Sequence, residues 1–166
     1  MSRPLTGHDG PYAAPFETSE QTVPPEWIDY NGHMNVAYYT MAIDRAQDEL
    51  QDVLGLGEAH AKADRMGPYV LQTHMHYLGE MLEGATFHGR FLLLDHDTKR
   101  MHIWAELVSE GEVRATSELM VMNVDLDARR GAPFPDWALK RLERMKADHA
   151  AVPHPPRIGA PLGLRR

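Results

Sequence analysis

One switch of hydrophobic period constrains the fold more than any other feature of the chain. From Val36 the apolar positions Tyr39, Ile43, Ala46, Leu50, Val53 and Leu54 recur mainly at three- and four-residue steps. That spacing marks one face of an amphipathic helix, with Asp44, Gln47, Asp48 and Gln51 mostly on the other. Asn35 suits its N-cap and Gly55 its stop, giving a rod of roughly 28 Å at ~1.5 Å per residue. From Tyr69 onward the chain reads instead as strands: Tyr69–Leu78, Thr86–Leu94, Met101–Ser109 and Val113–Asp125. The polar separators 79–84, 95–100 and 110–112 suit hairpin connections. A short strand over Phe16–Val23 precedes the helix and stops at Pro24-Pro25, and Pro135–Ala150 returns to helical spacing through Trp137, Leu139, Leu142 and Met145. One apolar helix face needs a partner, and a curved five-stranded antiparallel sheet supplies it, so the fold class is α+β with an extra C-terminal helix.

The flanks read differently. Residues 1–14 are rich in Gly, Pro and small side chains without periodicity, which predicts a flexible N-terminal arm. Residues 151–166 form a Pro- and Gly-punctuated tail ending in two arginines, expected to be disordered or extended along a neighbouring surface. Between them, 15–150 is the size of one domain. A net charge of -7 argues against a general nucleic-acid binder, which needs a surplus of Lys and Arg to neutralise phosphates. With no cysteine, disulfides, thiol catalysis and Cys-ligated zinc are excluded. No apolar run approaches the roughly 20 residues that span a bilayer, and the N-terminus lacks the apolar core of a secretory signal. A cytoplasmic protein without membrane or nucleic-acid partners is expected.

The stretch WIDYNGHMNVAYY, Trp27–Tyr39, sits where strand gives way to helix. Asn31-Gly32 is a strong turn signal, and Gly32 permits a positive φ. The turn feeds the helix at Asn35, whose first N–H groups lack intrahelical acceptors and carry positive partial charge. Such a helix end binds an anion or polarises a carbonyl oxygen. Asp29, six residues before the cap, can sit beside that carbonyl. Helix donors stabilise a tetrahedral oxyanion, while the carboxylate attacks the carbonyl or deprotonates water.

The pattern D-x-N-G-H-M-N, followed by a Tyr and a helix, resembles the signature of hot-dog-fold acyl-CoA thioesterases of the 4-hydroxybenzoyl-CoA thioesterase type. The likeness extends over roughly Phe16–Phe134, and PEWIDYNGHMN with THMHYL, KRMHIW and GAPFP resembles the betainyl-CoA thioesterase subgroup linked to carnitine and betaine catabolism. The resemblance implies a hot-dog fold and hydrolysis of an acyl-CoA to free acid and CoA, without metal or redox cofactor. The acyl group would be short and polar, betaine-like, with an aromatic or medium-chain group as second choice. It places the catalytic carboxylate on Asp29, the carbonyl-polarising amide near Val36, turn residues on Gly32 and His33, and the helix entry on Asn35. A basic contact to the nucleotide phosphates falls on Lys99, with Arg100 beside it. It also implies edge-to-edge pairing of two sheets, hence a homodimer with sites at its interface, or a homotetramer.

Other readings stay open on the residues alone. His33 either transfers protons or orients the loop. His74-x-His76 places two imidazoles on one strand face, as zinc sites do, yet no third ligand with its own signature follows. Trp27, Tyr38, Tyr39 and Trp104 are core or interface aromatics, or part of a cage for a quaternary ammonium. A hot-dog hydratase or dehydratase would resemble D-x-N-P-x-H, whereas this chain has D-x-N-G-H. A non-catalytic acyl-CoA-binding module would have no need of Asp29.

Overall fold

The computed structural model describes residues 3–164, so the closing pair Arg165-Arg166 and the first two residues of the arm lie outside the described residues. The expected long helix is α1, Val36–Leu54. Four long strands follow it: β3 (Met66–Tyr77), β4 (Thr86–His96), β5 (Arg100–Ser109) and β6 (Glu112–Asp125). Before α1 lie β1 (Phe16–Glu17) and β2 (Gln21–Thr22), and after β6 come β7 (Arg130–Gly131) and α3 (Asp136–His149). The sheet is antiparallel in the order β1-β4-β5-β6-β3, with β2 also on β4 and β7 on β6. This is a hot-dog arrangement, one long helix laid on an antiparallel sheet, with α3 added against β4.

The first strand differs from expectation. Phe16 faces Phe91 and Glu17 faces Arg90, whereas Gln21 faces Phe87 and Thr22 faces Thr86, so the edge slips by one residue between them. Thr18 fills the gap: its N–H donates to the Gly89 carbonyl (2.9 Å), and the Gly89 N–H donates to its hydroxyl (2.8 Å). A second helix, α2 (Glu58–Asp64), was not anticipated, since seven residues are too few to show a period. It is anchored by His60, which is buried, bonded to Asp64 (2.8 Å) and packed edge-on against Trp137.

The core lies between α1 and the inner sheet face, where Ile43, Leu50 and Leu54 join Phe87, Phe91, Ile103 and Leu107. Each such side chain contributes roughly 1.5–3 kcal/mol relative to exposure. Gln47 and Gln51, expected on the polar face, are buried: Gln47 lies four residues after Ile43 and three before Leu50, and Gln51 three before Leu54, so both border the apolar stripe. The outer face carries Leu92, Trp104 and Glu118 in one cross-strand row. Residues 152–157 of the tail border that face beside Leu92 and Trp104, and the Gly159 N–H donates to Glu118 (2.7 Å).

The segment expected to be a flexible arm is instead tied down in its described part. Tyr12 is buried with its N–H on Asp148 (2.8 Å), and Asp9 and the Thr6 carbonyl both take hydrogen bonds from Arg141 (2.8 Å each). The reason is a set of polar partners on α3 that no local pattern reveals. Among the described residues no helix is long and apolar enough to cross a membrane.

Candidate active site

The loop between Trp27 and α1 is closed by its own backbone. The Gly32 N–H donates to the Asp29 carbonyl (3.0 Å), the Asp29 N–H to His33 (3.1 Å) and the Asn35 N–H to Trp27 (2.8 Å). Gly32 has φ +84°, a left-handed conformation in which a side chain costs about 1–2 kcal/mol. The loop is also fastened across the fold, since the Met34 N–H donates to the Met81 carbonyl at 2.8 Å.

This closure aims the Asp29 carboxylate. One oxygen accepts from the Asn31 N–H (2.8 Å), the other from the side-chain amide of Asn35 (3.3 Å). Asn35 also caps α1, its side-chain oxygen accepting from the Ala37 N–H (3.0 Å). A single amide thus couples the carboxylate to the helix N-terminus. The next donor, the Val36 N–H, has no acceptor among the described residues. Asp29 is half-buried, which limits solvent screening without removing the carboxylate from water.

His33, Val36, Tyr39, Tyr77 and Glu80 are among the residues lining a cavity of about 420 Å³ at this end of the helix. Tyr39 braces it: its hydroxyl donates to the Gly79 carbonyl (3.1 Å) and accepts from the Met81 N–H (3.2 Å). Burial raises the Tyr39 pKa, partly offset by that Met81 bond, so the hydroxyl stays a neutral clamp. Sequence reasoning missed Glu80 and this clamp, because the partners lie about forty residues apart and nothing local pairs them.

Of the residues singled out in the sequence, Asp29 and Asn35 are bonded to each other, Gly32 shapes the loop that carries them, and His33 and Val36 line the adjoining cavity. The side chain on Asp29 is Asn35 rather than His33, whose ring Nδ1 lies 3.4 Å from the Met34 carbonyl. Lys99 and Arg100 do not join them within one chain. Arg100 pairs with Met122 and Met122 with Tyr69, at the far end of β3 from Tyr77. At ~3.3 Å per residue that separation is roughly 25 Å. Arg100 is also engaged by Asp97 (2.7 Å).

The aromatics divide similarly. Trp27 and Tyr38 stack at 5.1 Å, and the Arg45 guanidinium already lies 5.5 Å from the Trp27 ring centre. Trp104, 2% exposed, belongs to the outer face, with its indole N–H on Glu106 (3.1 Å). His74 and His76 lie 4.7 Å apart, and among the described residues no three His, Asp or Glu groups are arranged to hold a metal.

The sequence pattern of the Thioesterase-like superfamily matches residues 23–142, which include the loop, α1 and all four long strands. The Betainyl-CoA thioesterase of Pseudomonas aeruginosa is 39% identical over 149 residues, covering 89% of this chain and 94% of that protein. The L-carnitine dehydrogenase/betainyl-CoA thioesterase of Rhizobium meliloti is 30% identical over 156 residues, covering 93% of this chain but only 31% of that longer protein. A Staphylococcus aureus protein solved in complex with CoA superposes with a TM-score of 0.83 at 25% identity, over 94% of this chain and 100% of its own.

Proposed function

This chain belongs to the thioesterase-like superfamily, and from that premise we propose that it hydrolyses an acyl-CoA thioester to the free acid and CoA, with betainyl-CoA as its substrate. The chemistry is assigned to residues 15–150. The observation that carries the proposal is the Asn35 side chain, which holds the Asp29 carboxylate and caps the helix whose Val36 N–H stays open.

In the reaction, the thioester oxygen accepts from Val36, where helix partial charge stabilises the developing oxyanion. Asp29 then acts at the carbonyl carbon by one of two routes. It attacks directly, expelling the CoA thiolate and leaving a mixed anhydride that water cleaves, or it takes a proton from water that attacks in its place. Gly32 sets the turn that holds the carboxylate, and His33 contributes a wall of the cavity. Both routes use the chain's own groups and water, with CoA entering as part of the substrate.

The working unit is proposed to be a homodimer, or a homotetramer built from it. Strand β3 is a sheet edge with Tyr69, Val70, Leu71, Tyr77 and Leu78 exposed along or just beyond it, and such an edge is a template for pairing. Antiparallel pairing of two copies centred near Thr73 would set Tyr77 opposite the second copy's Tyr69. That brings the second copy's Lys99-Arg100 turn toward this Asp29, where it would meet the CoA phosphates.

The test is thiol release by Asp29→Asn and Asp29→Ala. Both should lose at least about a hundredfold in turnover, the scale usual for a catalytic acid or base, while still binding the CoA ester. Unchanged turnover in both variants would refute the assignment. Single-turnover ¹⁸O incorporation into Asp29 separates attack from base catalysis.

A further inference from the structure

In a betainyl thioester the quaternary nitrogen lies two bonds from the carbonyl carbon. The group that recognises the cation must therefore share the cavity of the oxyanion amide. Tyr77 and Glu80 meet that requirement, both lining the cavity with Val36 and His33. The Tyr77 ring meets the Tyr39 ring at right angles, centroids 5.3 Å apart, which fixes it in place while it remains 49% exposed. Glu80 is exposed and makes no ion pair among the described residues. Its turn is held rigidly against α1 by the Tyr39 hydroxyl and by the Met34–Met81 bond.

The charges around the cavity favour a cation. No Lys or Arg of this chain lines it, and in the proposed dimer the second copy's Lys99-Arg100 turn is taken up by the CoA phosphates. Arg114 runs beside Gly79 but is paired with Glu110 (2.8 Å) and Glu112 (3.2 Å). Asp29 adds a second carboxylate at the same end of the helix. Of the aromatics singled out in the sequence, Trp27 and Tyr38 form a stack with Arg45 over it, Tyr39 is the hydroxyl clamp, and Trp104 is on the opposite sheet face.

We propose that Tyr77 and Glu80 form the recognition site for the cationic end of the acyl group, selecting a quaternary ammonium over a neutral group of the same shape. This rests on the thioesterase reading above. The ring supplies cation–π attraction and the carboxylate supplies Coulomb attraction. A neutral group of equal size would strip water from Glu80 and give nothing back.

The experiment compares betainyl-CoA with its neutral isostere, 3,3-dimethylbutanoyl-CoA, as the ratio of their kcat/KM values. The ratio cancels losses of folded enzyme, since one preparation meets both esters. The native chain should favour the cation at least about tenfold, and Glu80→Gln and Tyr77→Leu should each cut the ratio about fivefold or more, with Tyr77→Phe restoring it. A native ratio near one overturns the proposal, as does a ratio unmoved by both Glu80→Gln and Tyr77→Leu. If neither ester is hydrolysed, the assignment of betainyl-CoA as substrate fails by itself. Equilibrium binding of the two esters to the native chain and the same variants then yields the ratio and decides the recognition question separately.

Discussion

The two ends of α1 are built from the same helix and finished in opposite ways. At the C-terminal end, Gly55 turns left-handed (φ 77°), its N–H returns to Asp52 (3.0 Å), and the Leu56 N–H reaches Gln51 (2.8 Å). The His8 N–H takes the Val53 carbonyl (3.2 Å), and Arg141, 5% exposed, donates to the Leu54 carbonyl (3.0 Å) while holding Thr6 and Asp9 of the N-terminal segment. Every nearby carbonyl that helix geometry leaves open there has been given a partner. At the N-terminal end, Asn35 serves Ala37 and Tyr38, and then provision stops at Val36. A helix end finished only for stability looks like the first; the second leaves open the donor that the proposed mechanism gives to the oxyanion.

The comparison breaks most sharply at Asp29, where the hundredfold loss proposed above should come with little change in melting temperature. Next in size is its mirror at the closed end. Arg141→Met removes three charge-assisted hydrogen bonds from a buried site, a loss of about 2–3 kcal/mol, or roughly 5–10 °C in Tm. Turnover per folded molecule should stay at the native value, measured by thiol release below the transition. A matching fall in kcat at unchanged Tm would mean that the two ends had been misassigned.

Asn35 sharpens the contrast because it serves both purposes at once. Asn35→Ala should cost about 1 kcal/mol as a lost cap, yet lower kcat/KM at least about tenfold as Asp29 loses its side-chain partner. Asn35→Asp separates the two roles: it keeps the acceptor that caps Ala37 but replaces the donor with a second negative charge beside Asp29. Near-native melting with impaired turnover is the expected result. Equal proportional losses in Tm and activity for both variants would leave Asn35 as a cap alone.

These two ends also mark how far the sequence could be read. Asn35, Gly55 and Gly32 announced themselves because a cap, a helix stop and a positive φ are local demands that few residue types meet. The helix stripe and the strand runs were legible for the same reason, and so was Asp29 at the helix entry. What stayed hidden is contact at long range. Arg141 reaches Leu54 across 87 positions, Tyr39 reaches Gly79 across 40, and neither tyrosine nor arginine carries a periodic signal that names its partner. Gln47 and Gln51 misled in the opposite direction, since polarity placed them outside while their three- and four-residue spacing from Ile43, Leu50 and Leu54 set them beside the buried stripe.

The smallest expected effect is a pH dependence confined to the closed side of the molecule. His149, buried on α3, accepts from the Leu93 N–H at Nδ1 (2.8 Å) and lies 2.8 Å from the Ala13 carbonyl at Nε2. That pairing needs the neutral ring, protonated on Nε2. Burial pushes its pKa below the usual 6.5, with the Ala13 bond and Asp148 pulling the other way. The folded state therefore holds fewer protons than the unfolded chain just below pH 6.5, so stability rises with pH there. The contribution is complete above about 6.5 and is lost as pH falls toward the folded pKa, where the ring must charge and release Leu93. His149→Gln keeps an acceptor and a donor but does not titrate, so its Tm should fall less steeply than that of the native chain between about pH 6.5 and 5. Parallel slopes would remove His149 from the account.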